Sequence, residues 1–92
     1  MTDTDLVQHK AAFVPGESVV AFGSIRKIVP GEIEIPFGTT FQKPPMVFLT
    51  PYWPNGGVGF IETVVSINTE SCTITSKNAA QNYHVNWLAI GI

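Results

Sequence analysis

Two short stretches hold most of the side chains able to grip a ligand. The first is Pro51-Tyr52-Trp53-Pro54-Asn55-Gly56-Gly57, with two large aromatics and an amide between prolines that stiffen the backbone. Aromatic rings of this kind stack on the apolar face of a sugar ring, while amides and hydroxyls read its hydroxyl groups. The alternative for Trp53 is to fold back and cap the core. The second stretch, Lys77-Asn78-Ala79-Ala80-Gln81-Asn82-Tyr83-His84, is rich in neutral donors and acceptors. That chemistry suits an uncharged, hydroxylated ligand better than a phosphate or a carboxylate. The alternative is an ordinary turn, where Asn is favoured for backbone reasons. The candidate binding residues are therefore Tyr52 and Trp53 as stacking surfaces, with Asn55, Asn78, Gln81, Asn82 and His84 as hydrogen-bond partners and Lys77 nearby.

Catalytic chemistry has less to stand on. Glu32 and Glu34 share a strand face, where alternate glutamates read as a solvated face that guards an edge strand from pairing. Cys72 sits in an apolar strand, with no strand-to-helix turn or basic neighbour to activate it. The histidines, His9 and His84, lie far apart, and no cysteine joins them in metal-ligand spacing. No glycine-rich loop precedes a helix to cradle a phosphate. The expectation is a protein that is not an enzyme and uses neither metal nor cofactor.

Composition narrows the partners. The net charge is −2 and 13% of residues are charged, with Lys10, Arg26, Lys27, Lys43 and Lys77 scattered. A nucleic-acid binder needs a basic stripe to neutralise phosphates, and none is visible. No apolar run approaches the roughly 18 residues of a membrane span. The opening Met1-Thr2-Asp3-Thr4-Asp5 is acidic and polar, unlike a secretory signal. The expectation is a cytoplasmic protein, or one secreted by a route without a signal peptide, with no nucleic-acid partner and no membrane insertion.

The elements that must position these residues are strands. Val, Ile, Thr and aromatics alternate with polar residues in short runs punctuated by Gly and Pro. Six runs are predicted: Ser18–Ile25, Glu32–Phe37, Met46–Thr50, Val58–Ile67, Ser71–Lys77 and Tyr83–Ile92. Met46–Thr50 is apolar on both faces, which predicts a central or interface strand. In Val58–Ile67 the positions Ile61, Thr63, Val65 and Ile67 share a side. Residues 1–16 read as an N-terminal arm and 17–92 as one all-β domain, a six-stranded antiparallel β-sandwich. The last strand is the most telling. Tyr83, Val85, Trp87, Ala89 and Gly91 make one apolar face; the other starts polar at His84 and Asn86 and turns apolar at Leu88, Ile90 and Ile92. A second apolar face needs cover, and in a chain of 92 residues without a disulfide a second copy is the expected cover.

Phe37, Lys43-Pro44-Pro45-Met46-Val47-Phe48-Leu49, Val64-Val65-Ser66-Ile67, Cys72-Thr73-Ile74 and Val85-Asn86-Trp87-Leu88-Ala89-Ile90, taken in order and spacing, resemble the H-type lectin domain of snail agglutinins and of the C-terminal domain of discoidins. The resemblance covers about residues 30 to 92. It implies a six-stranded sandwich assembled as a small homo-oligomer, often a trimer, with sites for galactose or N-acetylgalactosamine near subunit boundaries. The size is similar to that of small mushroom lectins, some specific for α-galactosyl groups. In the family an aromatic and a histidine usually precede the last strand. Here Lys77–Asn82 carries no aromatic, so Tyr52 and Trp53 are expected to supply the stacking. A similar terminal strand also ends phage tail fibres, which keeps a fibre-tip or trimerisation role as the alternative.

Overall fold

The structure, a computed structural model, describes residues 18–54 and 59–92. The predicted arm, 1–16, and the loop residues Asn55, Gly56 and Gly57 lie outside the described residues. Six strands follow one another: β1 (Val19–Arg26), β2 (Gly31–Pro36), β3 (Met46–Tyr52), β4 (Thr63–Ile67), β5 (Ser71–Ser76) and β6 (His84–Gly91). They form two three-stranded antiparallel sheets, ordered β1-β6-β3 and β2-β5-β4. Among the described residues there is no helix. The all-β, six-stranded antiparallel sandwich expected from the alternation is the fold observed.

Each inner face is built from cross-strand rows. In the first sheet the rows are Ala21–Ala89–Val47, Gly23–Trp87–Leu49 and Ile25–Val85–Pro51. The glycine in the middle row sits at a close approach. A Cβ on Gly23 would sit 3.0 Å from Cζ2 and Nε1 of Trp87, so the indole occupies the space a side chain would take. In the second sheet Ile33–Ile74–Val64 and Ile35–Cys72–Ile67 face them. Ile35, Cys72, Ile74, Val85 and Ala89 are all fully buried, which joins the two sheets in one core. Phe37 and Phe41 close one end, ring edge to ring face at 5.5 Å, with Trp87 at 5.7 Å from Phe37. Such aromatic pairs add about 0.5–1.5 kcal/mol each beyond area burial.

One connection is a hairpin, between β4 and β5. Asn68 Oδ1 accepts from the backbone N–H groups of Glu70 and Ser71, both at 2.8 Å, a side chain standing in for backbone in a turn. The remaining connections cross between the sheets, and backbone bonds tie the crossings down. Phe37 and Phe41 donate to the carbonyls of Glu70 and Thr69, and Lys27 donates to that of Tyr83.

One strand reading is narrowed and one corrected. β3 is an edge strand, which removes the central alternative and leaves the interface one open; its second apolar face, Met46 and Phe48, is half exposed and no strand of this chain lies beside it on that edge among the described residues. β4 begins at Thr63, and Ile61 is 85% exposed. A bulge between Val64 and Ser66 shifts the register, so Val64 and Ile67 face the core and Val65 is turned out. Strict alternation across Ile61–Ile67 cannot anticipate that extra residue.

The outer faces differ sharply. That of β2-β5-β4 carries Glu32, Glu34, Thr73, Thr75, Thr63 and Ser66, a polar surface. That of β1-β6-β3 is divided. Val20–Ile90–Met46 and Phe22–Leu88–Phe48 form two apolar rows, and Ser24–Asn86–Thr50 and Arg26–His84–Tyr52 form two polar ones. Phe22 is 76% exposed.

Candidate functional site

The two predicted clusters meet at one end of the sandwich but separate into an interior network and a surface row. The interior network is organised by Lys27, the first residue after β1, which is only 1% exposed. Its ammonium donates to the carbonyls of Ser76 (2.8 Å) and Asn78 (2.9 Å) and to Ser76 Oγ (3.1 Å). It also stands 3.6 Å from Glu62 Oε2. The same carboxylate oxygen accepts from the hydroxyls of Ser76 and Tyr83, the latter at 2.6 Å. A buried charge is tolerable only with a countercharge and hydrogen bonds, and this pair has both. Burial first, and then the hydrogen bond to Glu62, push the Tyr83 phenol up to about 12.

Asn78 and Asn82 are engaged in this interior. Asn78 is buried; its amide donates to the Phe60 carbonyl (2.7 Å) and to Tyr83 Oη (3.2 Å), and its Oδ1 accepts from the Phe60 N–H (3.2 Å). That clamp fixes Phe60, over whose ring Lys77 Nζ lies 5.8 Å from the centroid. Asn82 Oδ1 accepts from Trp53 Nε1 at 3.1 Å, and the Trp53 ring lies 5.3 Å from that of Tyr83. Trp53 is half-buried against the core, the capping alternative for this side chain. Gln81 is exposed, and Asn55 is outside the described residues.

A cavity of about 310 Å³ lies beside this network, lined by Leu49, Pro51, Gly59, Phe60, Ile61 and Glu62. The Glu62 side chain is 1% exposed, so its carboxylate is closed to solvent at this wall. Oε1 of that carboxylate is buried without a hydrogen-bond partner among the described residues.

The surface row brings Tyr52 and His84 together. They are register partners on β3 and β6, with ring centroids 6.5 Å apart. On the other side of His84 stands Arg26 of β1, its direct partner in the ladder. Directly opposed residues on one sheet face have Cβ atoms about 5 Å apart, so the three side chains form a continuous row. His84 Nδ1 is buried and has no hydrogen-bond partner among the described residues. Arg26 and Tyr52 are exposed, and the adjoining row of Ser24, Asn86 and Thr50 is exposed throughout. The sequence named Tyr52 and His84 but not Arg26, Asn86, Ser24 or Thr50. Alternation in β1 and β6 could have placed them on one face; only the strand order makes that face continuous.

Cys72 is buried in the core, and burial pushes its thiol up, away from the reactive thiolate. Among the described residues no group of three or more His, Cys, Asp or Glu could hold a metal ion. In comparisons with known proteins the chain matches no family model, no curated protein and no solved structure.

Proposed function

We propose that this protein is a carbohydrate-binding protein that works as a homo-oligomer and does no chemistry on its ligand, with terminal galactose-type sugars as its first ligand class. The observation that carries the reading is the divided outer face of β1-β6-β3. An aromatic ring, an imidazole and a guanidinium stand in one row beside a row of hydroxyls and an amide. This is the mixture a sugar needs, with a stacking surface for its ring and convergent groups for its hydroxyls. The apolar half of the same face, Val20, Phe22, Met46, Phe48, Leu88 and Ile90, is what a second copy would cover. Shallow sites of roughly millimolar affinity, about −4 kcal/mol each, become useful when several act together.

A glycan array probed with the assembled protein tests the reading, with its mass followed by light scattering. Retention of galactose-terminated glycans by an oligomer supports it; an oligomer that retains no glycan refutes it. The exposed apolar rows also favour a second reading, an assembly or fibre-tip domain, and that reading gains from the latter result.

A further inference from the structure

We propose that the polar end of the β1-β6-β3 face selects an anionic saccharide, a galactose-type ring carrying a carboxylate or a sulfate ester; this rests on the sugar-binding reading of the same face. Among the described residues the charge on this face has one sign. Arg26 is exposed and has no carboxylate partner among the described residues. The described carboxylates lie elsewhere: Glu32 and Glu34 on the outer face of the other sheet, Glu70 in the β4–β5 turn, and Glu62 sealed against Lys27. A guanidinium with no carboxylate partner among the described residues keeps its planar fork of donors for an external one. Carboxylate and sulfate are the groups that match that fork with two parallel hydrogen bonds.

The neighbours make the site one for a ring rather than for a bare ion. His84, between Arg26 and Tyr52, is a half-buried imidazole that joins the two exposed side chains into one row; its Nδ1 is turned inward, buried and without a hydrogen-bond partner among the described residues. Tyr52 supplies an exposed aromatic surface on the far side of His84. The second row, Ser24–Asn86–Thr50, runs parallel at about 7 Å along the strands, the reach of one pyranose ring with its substituents. A sugar lying across both rows would place its ring by Tyr52, its hydroxyls by Asn86 and Thr50, and its acidic group by Arg26.

The test is calorimetric titration of the full chain with four probes: methyl galactoside, galacturonate, galactose 6-sulfate and inorganic sulfate. The expected result is that galacturonate or galactose 6-sulfate binds about fivefold more tightly than methyl galactoside in low salt, the upper range for an exposed ion pair with good geometry. The preference disappears in high salt and in Arg26→Gln, where the ratio of anionic to neutral galactoside affinity falls to about one. Whichever of the two anionic sugars leads identifies the group selected. Equal affinity for neutral and anionic sugars overturns the proposal and leaves the sugar-binding reading standing. So does a preference that survives Arg26→Gln. Inorganic sulfate binding as tightly as the sugars also overturns it, since the ring would then add nothing. Binding of none of the three sugars overturns the sugar-binding reading itself.

Discussion

Lys27→Met removes the centre of the interior network while keeping a long side chain in its place. The ammonium satisfies two carbonyls and one hydroxyl and neutralises Glu62. Without it a carboxylate with 1% side-chain exposure is left with only hydroxyl partners, and the carbonyls of Ser76 and Asn78 lose a donor. Breaking one side of a buried pair typically costs 3–5 kcal/mol, here roughly 4. At ~0.05–0.15 kcal/mol per residue, a domain of this length has a total stability of about 5–14 kcal/mol. The variant therefore loses from a third to most of its stability. At roughly 4–8 °C per kcal/mol the melting temperature falls by about 15–30 °C, readable by circular dichroism. The double variant Lys27→Met/Glu62→Gln keeps an acceptor for Tyr83 and Ser76 and leaves no uncompensated charge. It should regain about 2 kcal/mol relative to the sum of the single variants. A Lys27→Met variant that melts within two or three degrees of the parent (under ~1 kcal/mol) refutes the reasoning. Strict additivity in the cycle refutes the coupling.

Tyr83 predicts an alkaline limit. Its phenol titrates near 12 when folded and near ~10 in an unfolded chain, so the folded state holds its proton more tightly. That stability is complete below about pH 10 and is lost as pH rises toward 12; phenolate absorbance in Tyr83→Phe should lose the late-titrating component. Gly23→Ala drives a methyl into the Trp87 indole and should cost about 1–3 kcal/mol in chemical denaturation; an unchanged midpoint would show that the indole can yield. Phe22→Glu, on the apolar half of the outer face, should shift the particle to monomer in light scattering, and an unchanged mass would move the interface elsewhere. Tyr52→Ala should weaken sugar binding about tenfold without changing the melting curve, whereas Trp53→Ala should lower stability through loss of its contacts with Asn82 and Tyr83.

The strands were legible wherever alternation met a one-sided environment. Glu32-Ile33-Glu34-Ile35 reads directly as an edge strand with its glutamates in water, and it is one. The two faces of β6 were legible for the same reason. β3 left two readings open, central or interface, because Met46 and Phe48 are apolar, and composition cannot tell an uncovered apolar face from a buried one. Lys27 was illegible because its burial depends on groups 49 and 51 residues away in sequence. An adjacent Arg26-Lys27 pair looks like surface charge until the fold turns one inward and leaves the other out. Asn78 and Asn82 were recognised as polar side chains with work to do, but local sequence does not say whether an amide meets a ligand or, as here, Phe60 and Trp53. Tyr52 and His84 were singled out separately; their pairing is a matter of register between β3 and β6.

The central claim is that the divided face of β1-β6-β3 binds sugar at its polar end and a second copy at its apolar end. Glycan-array retention of the purified protein beside its Tyr52→Ala variant, at matched oligomer mass, tests that claim most directly. The account predicts an oligomer that retains galactose-type glycans, with retention lost in the variant while the mass is kept. Equal retention by both proteins, or none by the parent, contradicts it.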